Sequence, residues 1–175
     1  VELVVIHSGG VPLPETSLIA SLQGLKTVFH LTGSRYIGGW HDGSDWDFMT
    51  AHSHYIDTLL SAIGFKESKA FKEHQGEYWD ESSPSSDGFT NMVWELIEDS
   101  VKYQVQVVSN LDAKLYARDR IKDDLFTVHY VSGTAVRIQL WNKLCNEFVG
   151  LGAVKPVAAT TLEFGSPEYM KLLFQ

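Results

Sequence analysis

Leu31-Thr32-Gly33-Ser34-Arg35-Tyr36-Ile37-Gly38, followed after a short loop by Gly43-Ser44-Asp45-Trp46-Asp47-Phe48-Met49, is the stretch on which the reading of this chain turns. Residues 27–32 are rich in β-branched and aromatic types and predict a buried strand that runs into Gly33. Gly38, Gly39 and Gly43 mark the loop, and residues 45–50 predict the next strand. Side chains alternate faces on a strand. Asp45 and Asp47 therefore project to one side, while Trp46 and Phe48 project to the other, into a core. Two carboxylates side by side repel and raise one another's pKa. A hard divalent cation compensates that charge, and Mg²⁺ favours one or two carboxylates together with substrate phosphates.

The first half of the stretch supplies the complement. A strand ending in Gly-Ser admits close backbone approach, because glycine has no Cβ. A helix beginning just after it has free N–H groups that can hold phosphate oxygens. Ser34 adds a hydroxyl and Arg35 a charge, so a triphosphate fits between these donors and a metal on the two aspartates. Ser34 as a plain helix N-cap and Arg35 as a solvated charge are the ordinary alternatives. Tyr36 and Trp40 lie in the neighbouring loop, placed either to stack on a base or to pack structurally.

Around this stretch the pattern predicts a strand at 2–6, a helix near 15–24 and an amphipathic helix through Ile56, Leu59, Leu60 and Ile63 that stops at Gly64. A polar, irregular region at 66–90 contains the loop Ser82-Ser83-Pro84-Ser85-Ser86-Asp87-Gly88. Residues 91–98 and 101–109 predict a hairpin turning at Asp99-Ser100, and helices follow at 111–125 and 134–149. The second presents Ala135, Ile138, Trp141, Cys145 and Phe148 inward. The order implies an α/β (α+β) fold, a small mixed β-sheet flanked by helices. One domain over 1–175 is expected, with 126–175 a helical C-terminal extension.

Hydrophobic residues make up 44% of the 175 and charged residues 21%, which excludes a disordered chain. A net charge of −8 disfavours broad binding to a nucleic-acid backbone and favours a small molecule or a protein as partner. The lone Cys145 excludes an internal disulfide or a Cys-rich zinc site, and its apolar setting reads as a buried small hydrophobe. No apolar run is long enough to cross a bilayer and no secretory signal is visible, so a cytoplasmic protein without membrane partners is expected.

His52 and His54 invite a transition-metal reading, but no further ligand set accompanies them, and a strand end or helix start suits them better. His41-Asp42 lacks the companions a metal phosphohydrolase needs. Lys114, Arg118 and Lys122 lie at i, i+4 and i+8 and form a basic stripe, ordinarily a solvated face.

Thr32-Gly33-Ser34 with Asp45-Trp46-Asp47-Phe48 resembles the nucleotidyltransferase superfamily that includes DNA polymerase beta. That family places an apolar residue before Gly and Gly or Ser, then, one loop later, Asp, an apolar residue, Asp or Glu and an apolar residue. Thr32 departs at the apolar position. The string Thr-Gly-Ser-Arg-Tyr with Ser-Asp-Trp-Asp-Phe is also similar to small nucleotidyltransferase-like proteins of bacteriophages. The motif covers roughly residues 28–50, and the order of elements extends it to about residue 125.

The resemblance implies a nucleoside triphosphate with Mg²⁺, or Mn²⁺, held by Asp45 and Asp47 as metal ligands and catalytic residues. Gly33, Ser34 and Arg35 would contact phosphate, joined by Lys114 and Arg118 after the third strand. A nucleoside monophosphate would pass to an acceptor hydroxyl on a protein, a small molecule or RNA. The family's third carboxylate falls at Gln104, or at Gln106 in a shifted register, and Glu95 on the neighbouring strand is a substitute. Two possibilities follow: an active transferase, or a nucleotide-fold relative without catalysis that binds and modulates a protein partner.

Overall fold

The computed structural model describes residues 3–23, 26–69, 71 and 87–152. Ser82–Ser86 of the expected loop, Ala135's side chain and residues 153–175 of the expected extension lie outside the described residues.

The chain is a mixed α/β fold built on a six-stranded sheet in the order β1-β2-β3-β6-β5-β4. The strands are β1 (Leu3–His7), β2 (Lys26–Thr32), β3 (Trp46–Ala51), β4 (Lys66–Glu67), β5 (Thr90–Glu98) and β6 (Val101–Val108). β1 runs parallel to β2 and β3 parallel to β6, and the other neighbours are antiparallel. The helices among the described residues are α1 (Ser17–Leu22), α2 (Gly33–Ile37), α3 (Ile56–Ile63), α4 (Leu111–Asp124), α5 (Phe126–Val131) and α6 (Thr134–Gly150). The two-residue β4 was not anticipated, and the short α5, within the expected helical extension, was not read as a separate helix. Neither is long enough to show a period of its own.

The alternation read from the sequence divides the sheet into two faces. Phe29, Leu31, Trp46, Phe48, Trp94, Tyr103, Val105 and Val107 point to one side and form a core with Leu18, Ile19 and Leu22 of α1 and Ile56 and Leu60 of α3. Burying a Leu or Phe side chain contributes roughly 1.5–3 kcal/mol, so this layer supplies much of the favourable free energy of the sheet. The expected stop at Gly64 is present: its φ is +113°, and its N–H returns to Leu60 and Ser61. The hairpin turns at Asp99 and Ser100, both with positive φ (52° and 65°), which suits the twist of the flanking strands.

On the other side of the sheet lie α2, α4 and α6. Ile37, Ala113, Ala117, Ile121, Leu144, Cys145 and Phe148 make a second core there. Cys145 is wholly buried and its thiol is pushed up to about 12, chiefly by burial, in keeping with an inert hydrophobe.

The basic stripe is not a solvated face. Lys114 and Arg118 are 3% and 5% exposed, and only Lys122 reaches the surface. Lys114 Nζ lies 2.7 Å from Asp87 Oδ2 and 4.5 Å from the centre of the Trp141 ring. Burial alone would raise the Asp87 carboxyl. Lys114, with the backbone N–H groups of Phe89 and Thr90, reverses this and holds it below the usual carboxylate range. Asn142 Nδ2 donates to the Asp87 carbonyl, so one buried ion pair ties the start of β5 to α4 and α6.

Candidate functional site

β2 ends at Thr32 and α2 begins at once with Gly33, whose φ is +67°. That left-handed conformation disfavours any residue with a Cβ, and space forbids one too. A Cβ on Gly33 would overlap Asp47 Oδ2 and come within 2.9 Å of Asp47 Cγ. The bare glycine therefore lies directly against the second aspartate of the motif. Arg118 Nη1 donates to the Leu31 carbonyl at 2.8 Å and braces the strand end from α4.

Asp45 immediately precedes β3 and Asp47 is its second residue. Burial, then the charge of Asp45, pushes the Asp47 carboxyl up from 3.8 to about 7, against a smaller opposing effect of Lys102. Asp47 Oδ1 is buried and has no hydrogen-bond partner. An orphaned carboxylate oxygen of this kind calls for an explanation, and a cation is one.

In the sheet, Thr32, Asp47, Gln104, Glu95 and Lys66 form one register line across β2, β3, β6, β5 and β4. Gln104 is thus directly beside Asp47, at the position expected for a third carboxylate. Its Nε2 donates to Glu95 Oε1 at 2.8 Å. Glu95, whose direction the sequence left open, belongs to the same face but stands one strand farther from Asp47. Lys102 Nζ lies between the acids, 3.7 Å from Asp45 Oδ2 and 3.6 Å from Glu95 Oε1.

The other expected ligands divide. Lys114 and its partner Asp87 line a cleft of ≈ 220 Å³ with Thr32, Gly33, Gln106, His129, Arg137 and Trp141, among others. Arg118 is engaged elsewhere. Besides Leu31 it bonds Asp119 Oδ1 at 2.9 Å, and it stacks on Tyr36 at 3.9 Å. Arg35 Nη2 donates to the carbonyls of Asp42 and Ser44, and the guanidinium stacks on Trp40 and Trp46 at 4.7 and 4.5 Å. It holds the glycine loop against β3 and so positions the aspartates. Ser34 is half-buried in the first turn of α2. The N-cap is Thr32, so the simple capping role for Ser34 does not hold.

Tyr36 is fixed by its bond to Asp119 Oδ1 and by Arg118 and Lys122 over its ring, whereas Trp40 is 52% exposed. His52 and His54 are exposed in the loop between β3 and α3. His129 and Arg137, which the sequence reading did not single out, reach the cleft from α5 and α6. Burial, then Arg137, lowers the His129 imidazole to about 4, and its neutral Nε2 accepts from Trp141 Nε1. No spacing signal links these residues to Gly33, which is 96 and 104 positions away.

Among the described residues no three His, Cys, Asp or Glu side chains are arranged to hold a metal. Two hard oxygen donors with one orphaned atom fit Mg²⁺, which completes its shell with water and phosphate, and not zinc. No helix among the described residues is long and apolar enough to cross a membrane. Comparison with known protein families, characterised proteins and solved structures finds no match to the chain, so the reading below rests on residues and geometry.

Proposed function

We propose that this protein binds a nucleoside triphosphate as its Mg²⁺ complex at Gly33, Asp45 and Asp47, and transfers the nucleoside monophosphate to an acceptor hydroxyl, as a nucleotidyltransferase. The observation that carries this reading is the Asp47 carboxylate, lying against a glycine that leaves no room for a Cβ, with one oxygen buried and unpartnered. A protein gains nothing in stability from such a group, and its presence speaks for a ligand.

Bound Mg²⁺ would neutralise the paired aspartates and the charge developing on the phosphates. Asp45 and Asp47 would hold it, and the Gly33 and Ser34 backbone would lie alongside the phosphate chain. In the adjoining cleft Asp87 already offsets the charge of Lys114, so Arg137 supplies positive charge there, and Trp141 supplies an apolar wall. In the reaction the acceptor oxygen forms a bond to the α-phosphorus while the bond to the α,β-bridging oxygen breaks. Pyrophosphate departs and the hydroxyl proton passes to solvent.

Gln104 favours a second reading. A neutral amide beside Asp47, already donating to Glu95, does not serve as a third metal ligand or as a base. A nucleotide-binding relative without catalysis, acting on a protein partner, fits that feature.

Calorimetric titration of the four ribonucleoside triphosphates, with and without Mg²⁺, tests the site. Metal-dependent binding is expected for the wild type and not for Asp45→Asn/Asp47→Asn or Gly33→Ala. Binding that ignores both the metal and the aspartates, or no binding by a folded wild type, sinks the proposal.

A further inference from the structure

At the opposite end of the register line from Thr32, the sheet opens into a groove of ≈ 510 Å³ lined by Gly64, Lys66, Lys69, Glu95, Ile97 and Lys102, among others. It exists because β4 is only two residues long and, among the described residues, leaves β5 beyond Glu95 without a strand beside it. Its volume lies within the roughly 300–1,000 Å³ usual for small-molecule sites. Lys66, Lys69 and Lys102 line it against Glu67 and Glu95, an excess of one positive charge in a chain of net charge −8. Lys66 and Lys69 are exposed and join none of the ion pairs among the described residues. Of the two glutamates lining the groove, Glu95 is already held by Gln104 and Lys102.

The groove and the aspartates share one polar line, Asp47-Gln104-Glu95-Lys66. Three strand steps separate its ends, about 14 Å at the usual inter-strand spacing. Lys102 stands at the junction, contacting both Asp45 and Glu95. We propose that this groove is the acceptor subsite, and that it takes a small phosphorylated molecule whose phosphate sits at Lys66 and Lys69 and whose hydroxyl points along the line toward Asp47. The assignment rests on the transferase reading above. A nucleic-acid acceptor is disfavoured because, among the described residues, no aromatic side chain lines the groove to stack a base, and the two lysines Lys66 and Lys69 match one phosphate group better than a backbone.

The test is a titration of the isotope-labelled full chain, followed by amide chemical shifts. The probes are inorganic phosphate, ribose 5-phosphate, ribose and a twelve-residue oligoadenylate. Phosphate and ribose 5-phosphate should shift Gly64, Lys66, Lys69 and Leu96 in a saturable way, and ribose should not. In Lys66→Ser/Lys69→Ser binding should weaken at least tenfold, and Lys66→Arg/Lys69→Arg should restore it.

Mg²⁺-triphosphate should shift Gly33 and Ser34 equally in all three proteins, which separates the two sites. Absent groove shifts, or shifts that persist in the serine variant, overturn the subsite. Oligoadenylate binding through the same amides tenfold more tightly than ribose 5-phosphate overturns the small-molecule assignment. Phosphate binding in the groove without any triphosphate response at Gly33 defeats the transferase reading and the acceptor role of the groove, while leaving an anion site in place.

Discussion

Asp47 places a buried, poorly compensated charge at a single side chain. Its carboxyl titrates near 7 in the folded protein and near 3.8 when unfolded, raised by burial and then by Asp45. Between those values the folded state binds more protons than the unfolded state. Without metal, stability therefore falls as pH rises from about 4 to about 7 and stays low above that. Asp47→Asn removes the buried charge. In the presence of a chelator, urea denaturation should find the variant more stable than wild type by on the order of 3 kcal/mol at pH 8, and nearly equal at pH 4. A variant less stable than wild type at pH 8 would mean that the carboxylate has a partner that compensates its charge. The sequence motif pointed to Asp47. The contact with Gly33 that makes the pair compelling depends on how β2 meets β3.

At the scale of elements, α4 shows how a charged helix is recruited to tie strand ends together. Its sequence offers charged residues at helical spacing, and nothing local says that two of them turn inward. Lys114 does so because Asp87, just ahead of β5, is buried opposite it, and Arg118 because the Leu31 carbonyl at the end of β2 lies within reach. Removing one partner of a buried pair leaves the other charged and unpaired, which costs about 3–5 kcal/mol. Lys114→Met should lower stability by about that amount at pH 7. Asp87 carries a depressed pKa, so its contribution is present above the ordinary carboxylate range and fades as pH falls through its lowered value. The deficit of the variant should accordingly narrow in acid. A denaturation series from pH 7 to pH 3 measures this, and a deficit under 1 kcal/mol at pH 7 would show that the pair is not the tie between β5 and α4.

For the molecule as a whole, the sheet order decides which residues meet. Parallel pairing of β3 with β6 sets Gln104 beside Asp47, and the hairpin then carries Glu95 and β4 outward along the same line. Gln104→Asp puts three carboxylates in that neighbourhood. The variant should melt at a lower temperature than wild type without metal and gain more from added Mg²⁺, as thermal scans with and without the ion will show. If the site is a transferase that has lost its third acid, pyrophosphate release from a nucleoside triphosphate should rise in the variant. An unchanged melting temperature in both conditions would place Gln104 outside the reach of the metal.

Alternation and spacing were enough to read the order of the long elements, the hairpin at Asp99-Ser100, the stop at Gly64 and the opposed faces of β3, because each is a property of neighbouring residues. The same short range made Gly33, Asp45 and Asp47 visible as a motif. The inward turn of Lys114 and Arg118, the use of Arg35 to hold the loop, the approach of His129 and Arg137 to the cleft, and the line from Thr32 to Lys66 were settled only by the tertiary structure. Each joins segments far apart in the chain, and the choice among partners for a buried charge is made by strand register and helix docking, which no local pattern encodes.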